Sequence, residues 1–339
     1  MTIFMAWPEI EAFYNIRKYA SAHPEILNGN SKVNYRIKCK LHGTNSAVQC
    51  HNDGTLVCQS RETIITPEKD NAGFARWVDS NKSAWQQIKG WIIYGEWVGP
   101  GIQKGVAVSQ LPKKAFAVFA ARLLEENDML ITDPAVLGDL VFGIPDTYVL
   151  PWYARPTMHG SDTQVNISFD IDWALSSEEL VPVTDEINKW VMEVEANDPW
   201  VKSVFGIDGV GEGLVFYPSS REHIGWENYK NLTFKAKGDK HKNIATAKPA
   251  QVSAESAANV DAFVALVLTD ARLEQGAGKV ALTTGSYDQS QTGKFVSWIV
   301  SDVEKEAQDE LAASNLEWKA VLKLLQTKAR TWYLEKAKR

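Results

Sequence analysis

Apolar and cationic residues alternate strictly from Tyr35 to Lys40, and that alternation decides how the first third of the chain can fold. Tyr35, Ile37 and Cys39 hold one parity, and Arg36, Lys38 and Lys40 hold the other. A period of two is the signature of a strand with one apolar face. The strand ends in Lys40-Leu41-His42-Gly43-Thr44-Asn45. A lysine at a strand end, ahead of a polar residue and a glycine, is placed to take a nucleotide onto its own nitrogen. A free lysine, with a pKa near ~10.4, is neutral only about once in a few thousand molecules at pH 7. A nucleophilic lysine must therefore be held where burial or neighbouring cations disfavour its charged form.

The 339 residues suffice for two domains with a sizeable core. Hydrophobic residues make up 45%, which places the chain among globular proteins. No apolar run reaches membrane-spanning length, so no membrane partner is expected. Met1 to Pro8 lacks the basic segment and long apolar core of a signal peptide, so the expected location is the cytoplasm, that of the host if a phage encodes the chain. Cys39, Cys50 and Cys58 read as reduced thiols on neighbouring strands, because CxxC spacing is absent. The net charge of −6 argues mildly against nucleic acid, but its distribution matters more. Acidic residues gather between Glu178 and Asp198, and basic ones between Lys230 and Lys242 and from Lys319 to Arg339. Such runs are also what solvated faces look like.

Strand signals dominate residues 30–240. Residues 45–50 and 55–60 flank Asn52-Asp53-Gly54, a hairpin turn. Trp91–Trp97, Ala115–Leu123, Gly213–Tyr217 and Lys230–Lys237 are further strand candidates. Helices are expected over Glu9–Ala22, Gly73–Ile88 and Thr184–Ala196. The pattern is α+β with mostly antiparallel strands. A first domain is expected over residues 1–243 and an Ala/Ser/Lys-rich linker over 244–258. Residues 259–339 read as an all-helical domain. Val260, Phe263, Val264, Val267 and Leu268 share one face, and Phe295, Val296, Ile299 and Val303 share another. Ser314 and Glu317 have the spacing of a capping box ahead of the last helix.

Further chemistry-bearing residues follow Lys40 in order. Arg61 ends a strand, Glu96 lies in Tyr94-Gly95-Glu96-Trp97, and Phe119 ends Ala115-Phe116-Ala117-Val118-Phe119. Glu212 precedes Gly213-Leu214-Val215-Phe216, and Lys235 and Lys237 alternate so that both meet one face. A nucleotide-transfer site needs these parts. Cations neutralise developing phosphate charge. An aromatic ring stacks on the base. Carboxylates hold a ribose hydroxyl or a hydrated magnesium ion. Each element alone is weak, since a Lys-x-Lys pair is as often a solvated face and Phe119 would by default be core.

Taken together these residues resemble the bacteriophage RNA ligase 2 family of covalent nucleotidyltransferases, which includes the RNA-editing ligases. KLHGTN (Lys40–Asn45) matches its nucleotide-attachment motif, and SRETI (Ser60–Ile64) the next. YGEWVGPGIQK (Tyr94–Lys104), KAFAVF (Lys114–Phe119), EGLVFYP (Glu212–Pro218) and FKAK (Phe234–Lys237) follow in family order, and Thr269 to Arg272 resembles a later segment. The resemblance implies an ATP-grasp-like nucleotidyltransferase domain followed by a helical domain, acting as an ATP-dependent RNA ligase on 5′-phosphate and 3′-hydroxyl ends.

It also implies roles. Lys40 would carry AMP from ATP, with Lys235 and Lys237 at the phosphates and Phe119 under the adenine. His42, Gly43 and Asn45 would sit near the transferring phosphate, and Arg61 at the ribose or the 5′-phosphate end. Glu96 and Glu212 would serve ribose and metal (Mg2+, with Mn2+ as a substitute). Thr44, Asn45, Arg61, Arg272, Lys323 and Arg330 would touch nucleic acid, which would be RNA or an RNA-containing duplex, probed by a monomer without an obligate protein partner. Two departures stand out: Ala120 follows Phe119 where the family commonly has Asp, and Cys39 precedes Lys40 where the prototype has an acid. A DNA ligase or capping guanylyltransferase would carry an OB-fold after the last motif, where this chain reads as helical. A non-catalytic, nucleic-acid-binding relic of the fold would be expected to have lost Lys40 or the lysine pair.

Overall fold

The structure, a computed structural model, describes residues 3–125, 129–156, 164–238, 256–281, 287–307, 311 and 316–338. The chain divides into two compact units, Met1–Gly238 and Asp239–Arg339. Most of the expected linker, residues 244–255, lies outside the described residues, and residues 256–258 open a helix, Ser256–Val267.

The first unit is α+β. Its strands are β1 (Glu11–Ala12), β2 (Lys32–Lys40), β3 (Thr44–Cys50), β4 (Leu56–Ser60), β5 (Ile64–Ile65), β6 (Trp91–Val98), β7 (Ala115–Leu123), β8 (Leu130–Ile131), β9 (Thr147–Val149), β10 (Ala154–Pro156), β11 (Gln164–Asn166), β12 (Ser168–Asp172), β13 (Gly213–Pro218) and β14 (Phe234–Lys237). One sheet runs β1-β14-β13-β2-β12. A second runs β5-β4-β3-β6-β7-β8, with β9 added parallel to β7. β10 and β11 form a separate hairpin. Apart from β1 with β14 and β9 with β7, every pairing is antiparallel.

The alternation of β2 drives this arrangement. Val33, Tyr35, Ile37 and Cys39 are buried in the larger core, beside Trp173, Phe216 and Phe234. Tyr35 anchors that face, since its hydroxyl donates to the Leu232 carbonyl at 2.9 Å and accepts from the Trp173 indole at 3.1 Å. The second sheet has its own core on its other side, where Trp77, Trp85, Trp97, Phe74 and Phe116 interlock. The larger core draws on both sheets, taking Ile37 and Phe216 from the first and Ala47, Tyr94 and Phe119 from the second. All three cysteines are free and buried, and burial pushes Cys50 and Cys58 up to about 12.

Some boundaries differ from the sequence reading. Glu11–Ala12 is not helical but pairs with Phe234–Lys235, and the helix begins at Phe13. Lys230 to Leu232 belongs to a helix, Trp226–Leu232, because Tyr229 and Leu232 are buried one turn apart. Thr233 Oγ1 donates to the Tyr229 carbonyl at 2.6 Å and closes that helix, so the strand starts only at Phe234.

The second unit is helical, with Ser256–Val267, Asp270–Ala281, Thr292–Glu306 and Trp318–Lys336 packed around Phe263, Val264, Phe295, Ile299, Val321, Leu325 and Tyr333. Glu317 is itself the N-cap of the last helix and makes no side-chain cap bond, so it cannot serve a capping box as its inner member; Ser314 lies outside the described residues. Among the described residues, no helix is long and apolar enough to cross a membrane.

Arg272 corrects an expectation. It is wholly buried, donating to Asp302 at 2.8 Å and to the Val267 carbonyl at 2.6 Å. With its side chain wholly buried and two of its nitrogens bound to Asp302 and the Val267 carbonyl, Arg272 presents no surface to a phosphate, so its expected contact with nucleic acid is withdrawn. Removing one partner of a buried ion pair leaves the other uncompensated, at a cost of about 3–5 kcal/mol. Arg272→Ala should therefore unfold the helical unit at markedly lower denaturant, read by hydrogen exchange in residues 256–336 while the first unit keeps its protection. Unchanged exchange there would show the pair to be dispensable.

Candidate active site

In an antiparallel pair, residues directly opposite each other share a face. Gly213 pairs with Lys40 on one side and Lys237 on the other, and Val215 pairs with Lys38 and Lys235. Three adjacent strands thus present four lysines in two rows on one face. Gly213 makes the first row usable. Its φ is +150°, and a Cβ there would lie 2.1 Å from the Ala236 carbonyl oxygen, so no side chain fits between Lys40 and Lys237.

Into this gap comes Glu212, one residue before β13 and only 3% exposed. Its carboxylate lies 2.7 Å from Lys40 Nζ, 3.6 Å from His42 Nδ1 and 3.7 Å from Lys237 Nζ. Burial opposes the Glu212 charge, yet Lys40, His42 and Lys237 hold its carboxyl well below the usual range. The loop after β2 brings Gly43 so close to β6 that a Cβ would meet the Trp97 carbonyl oxygen at 2.4 Å. This approach lets the Gly43 N–H donate to Glu96 Oε1 at 3.0 Å, while Gln103 donates to the Gly43 carbonyl at 3.1 Å. Burial pushes the Glu96 carboxyl up to about 7; Lys40 pulls against this and the Glu212 charge adds to it. Thr44 and Asn45 open β3 opposite Trp97 and Glu96, and Thr44 Oγ1 accepts from Asn71 at 2.9 Å.

The structure thus gathers Lys40, His42, Gly43, Glu96, Glu212 and Lys237, with Asn45 beside Glu96 and Lys235 half-buried on the same face. Arg61 is set apart, more than half exposed and 3.3 Å from Glu9. The Phe119 ring, 7% exposed, packs against Trp7 at 5.1 Å between ring centres. Lys323 and Arg330 are exposed on the last helix of the other unit.

Three residues in contact with Phe119 or Arg61 went unread in the sequence. Trp7 and Glu9 lie in a stretch without regular periodicity, held by Met5, whose N–H donates to Gln59 and whose carbonyl accepts from Gln59 and Tyr94. Lys38 shares the parity of Lys40, and that parity was the available signal. Yet Lys38 is wholly buried, donates to the Phe119 carbonyl at 3.0 Å, and is pushed by burial down to about 7.

Raised from 4.5 to about 7, Glu96 holds a proton in the folded protein that the unfolded chain releases. It contributes stability that is full below pH 4.5 and lost as pH rises through about 7. Glu96→Gln keeps the acceptor for Gly43 and cannot ionise. Its melting temperature relative to the unaltered protein should climb as pH rises from 4.5 to 7 and then level off. Parallel pH profiles for the two proteins would rule this out.

The RNA ligase family model matches residues 34–237. No curated protein matches the chain. Among solved structures the chain is similar to the Naegleria gruberi RNA ligase. An alanine variant of that ligase with ATP and Mn shares 17% identity at a TM-score of 0.45, covering 71% of this chain and 58% of that chain. The form with PPi shares 18% at 0.44, again over 71% and 58%. A methionine variant with AMP and Mn shares 16% at 0.44, with the same coverage. The chain therefore spans 58% of the length of these structures. The family match, by contrast, takes in more than half of this chain and every residue of the lysine cluster, and the chain belongs to the RNA ligase family.

Proposed function

We propose that this protein is an ATP-dependent RNA ligase of the branch that includes bacteriophage RNA ligase 2, sealing nicks in duplex RNA or RNA–DNA hybrids. The observation that carries the reading is the convergence of Lys40, His42 and Lys237 on the buried Glu212 carboxylate, within the segment that matches the family.

The chemistry runs in three displacements. Lys40 Nζ attacks the α-phosphorus of ATP, a P–N bond forms, the amine proton is lost and pyrophosphate leaves. An oxygen of the RNA 5′-phosphate then attacks the same phosphorus, the P–N bond breaks and Lys40 is regenerated. Finally the 3′-hydroxyl attacks the activated 5′-phosphate, loses its proton, and AMP leaves as the phosphodiester forms. The Lys40–Glu212 ion pair must open before the first attack. Lys237 and Lys235, preset on the same face, are aimed at the charge that develops on the phosphates. Phe119 would stack on the adenine and Arg61 would take the ribose or the 5′-phosphate end.

Among the described residues, no group of three or more His, Cys, Asp or Glu could hold a metal ion. Glu96 and Glu212 are two carboxylates close enough for the Glu212 charge to raise the proton affinity of Glu96. That donor set fits Mg2+ or Mn2+ bound partly through water, since such ions take one or two carboxylates plus substrate phosphates rather than a protein cage. When bound, the ion supplies neutralisation of phosphate charge.

Lys40→Ala should abolish covalent AMP labelling and sealing of 5′-phosphate ends, yet still join a strand supplied already adenylated. Lys237→Ala should cut labelling by orders of magnitude, whereas a solvated strand face would tolerate the change within about 0.5 kcal/mol. Labelling of the Lys40 variant at the unaltered level would sink the nucleophile assignment.

Within the second unit, Lys319, Lys323 and Arg330 are exposed on the last helix, while Lys328 and Lys336 pair with Asp261 and Glu274. We assign the exposed cations to salt-sensitive phosphate contact. A protein ending near residue 245 should still form lysyl–AMP, seal nicked duplex poorly, and lose part of the salt dependence of its RNA binding. Full sealing by the truncated protein would remove the role of the tail.

A further inference from the structure

Lys38 is an expensive residue where it stands. It is wholly buried, it forms no ion pair among the described residues, and its Nζ sits 4.8 Å from the centre of the Trp152 ring. A methionine or leucine would fill the place without the cost of desolvating an amine. What the amine does there is donate to the carbonyl oxygen of Phe119 at 3.0 Å.

That carbonyl has a particular need. The β6–β7 ladder slips between Tyr94 and Gly95: Tyr94 pairs with Ala120, Gly95 pairs with Val118, and Phe119 is left without a cross-strand partner. The slip also puts Phe119 and Ala120 on the same core, where strict alternation would have separated them. Gly95 permits it, since a Cβ there would lie 2.6 Å from the Phe116 ring. A buried carbonyl at such an irregularity gains from a donor that the regular ladder does not supply. Lys38 reaches it from the other sheet, from the strand that ends in Lys40.

We infer that Lys38 is a positioning residue: it ties the bulged Phe119 to the strand of the nucleophile and so fixes the base-stacking ring relative to Lys40. This rests on the ligase reading above. Ala120 fits the assignment, because a carboxylate at that place could draw the Lys38 amine away from the carbonyl.

The test measures the rate of lysyl–AMP formation against ATP concentration in the full chain. Lys38→Met should raise the ATP concentration for half-maximal labelling about tenfold, with the maximal rate largely kept, as loss of one buried hydrogen bond would produce. Phe119→Ala should raise it as well. The double variant should be no worse than Phe119→Ala alone, because Lys38 acts through that residue. A tie that is merely structural predicts a lower melting temperature with unchanged half-saturation, and that result overturns the inference, as does additivity in the double variant. Should Lys38→Met fail to fold, Lys38→Leu, which also removes the donor, is read in its place. A rise in half-saturation then supports the inference, and a value equal to that of the unaltered protein overturns it. If the unaltered protein forms no lysyl–AMP, the ligase reading fails and takes this inference with it. Normal labelling with an indifferent Lys38 defeats this inference alone.

Discussion

A carboxylate buried to the extent of Glu212 cannot stay charged without cations around it, and the site is built around meeting that requirement. Lys40 and His42 come from one stretch of the sequence and Lys237 from another some two hundred residues on, and each contributes charge to the same group. The arrangement is self-consistent in the absence of substrate, because the buried charge is compensated from within the protein. A polyanion entering the site would offer the same cations a second, more highly charged partner. Glu96, close by, responds in the opposite direction and tends to keep its proton. Two glutamates a short distance apart are thereby driven to different protonation states by their different shares of the cations.

The backbone sets these distances more than the side chains do. Cross-strand pairing places Lys40 and Lys237 on either side of Gly213, and the glycine leaves the space between them to the Glu212 carboxylate. A second close approach, of Gly43 to β6, brings the loop after Lys40 against Glu96. In both places a missing Cβ is what allows polar groups from distant segments to meet.

Much of this was legible in the sequence, for physical reasons. β2 announces itself by period two, the β3–β4 hairpin by Asn52-Asp53-Gly54, and the helical tail by apolar stripes that do form its core. The resemblance to a family implied one site for Lys40, His42, Glu96, Glu212 and Lys237, and the structure brings these side chains together. What stayed hidden depends on partners remote in sequence. Glu11–Ala12 becomes a strand only because β14 is there to receive it. Lys230 to Leu232 carries charges that fit a strand or a helix equally, and burial of Tyr229 and Leu232 decides for the helix. Arg272 and Lys38 look like surface cations until the packing around them is known. One serves an aspartate and a helix end, and the other serves a carbonyl that a slipped ladder left over.

The parallel pairing of β1 with β14 has a consequence for how the protein comes into being. The strand bearing Lys235 and Lys237 is covered on one side by β13 and on the other by a segment from near the beginning of the chain. Contacts between residues so far apart in sequence are slow to form, because the loop they close must be ordered before they repay it. During synthesis the segment around Glu11 leaves the ribosome long before its partner exists, and Lys40 emerges long before Lys237. A nascent chain can therefore hold Lys40 without the lysines that complete its cluster. The cluster would be completed late and all at once, when the last strand of the unit slots between the first and the thirteenth.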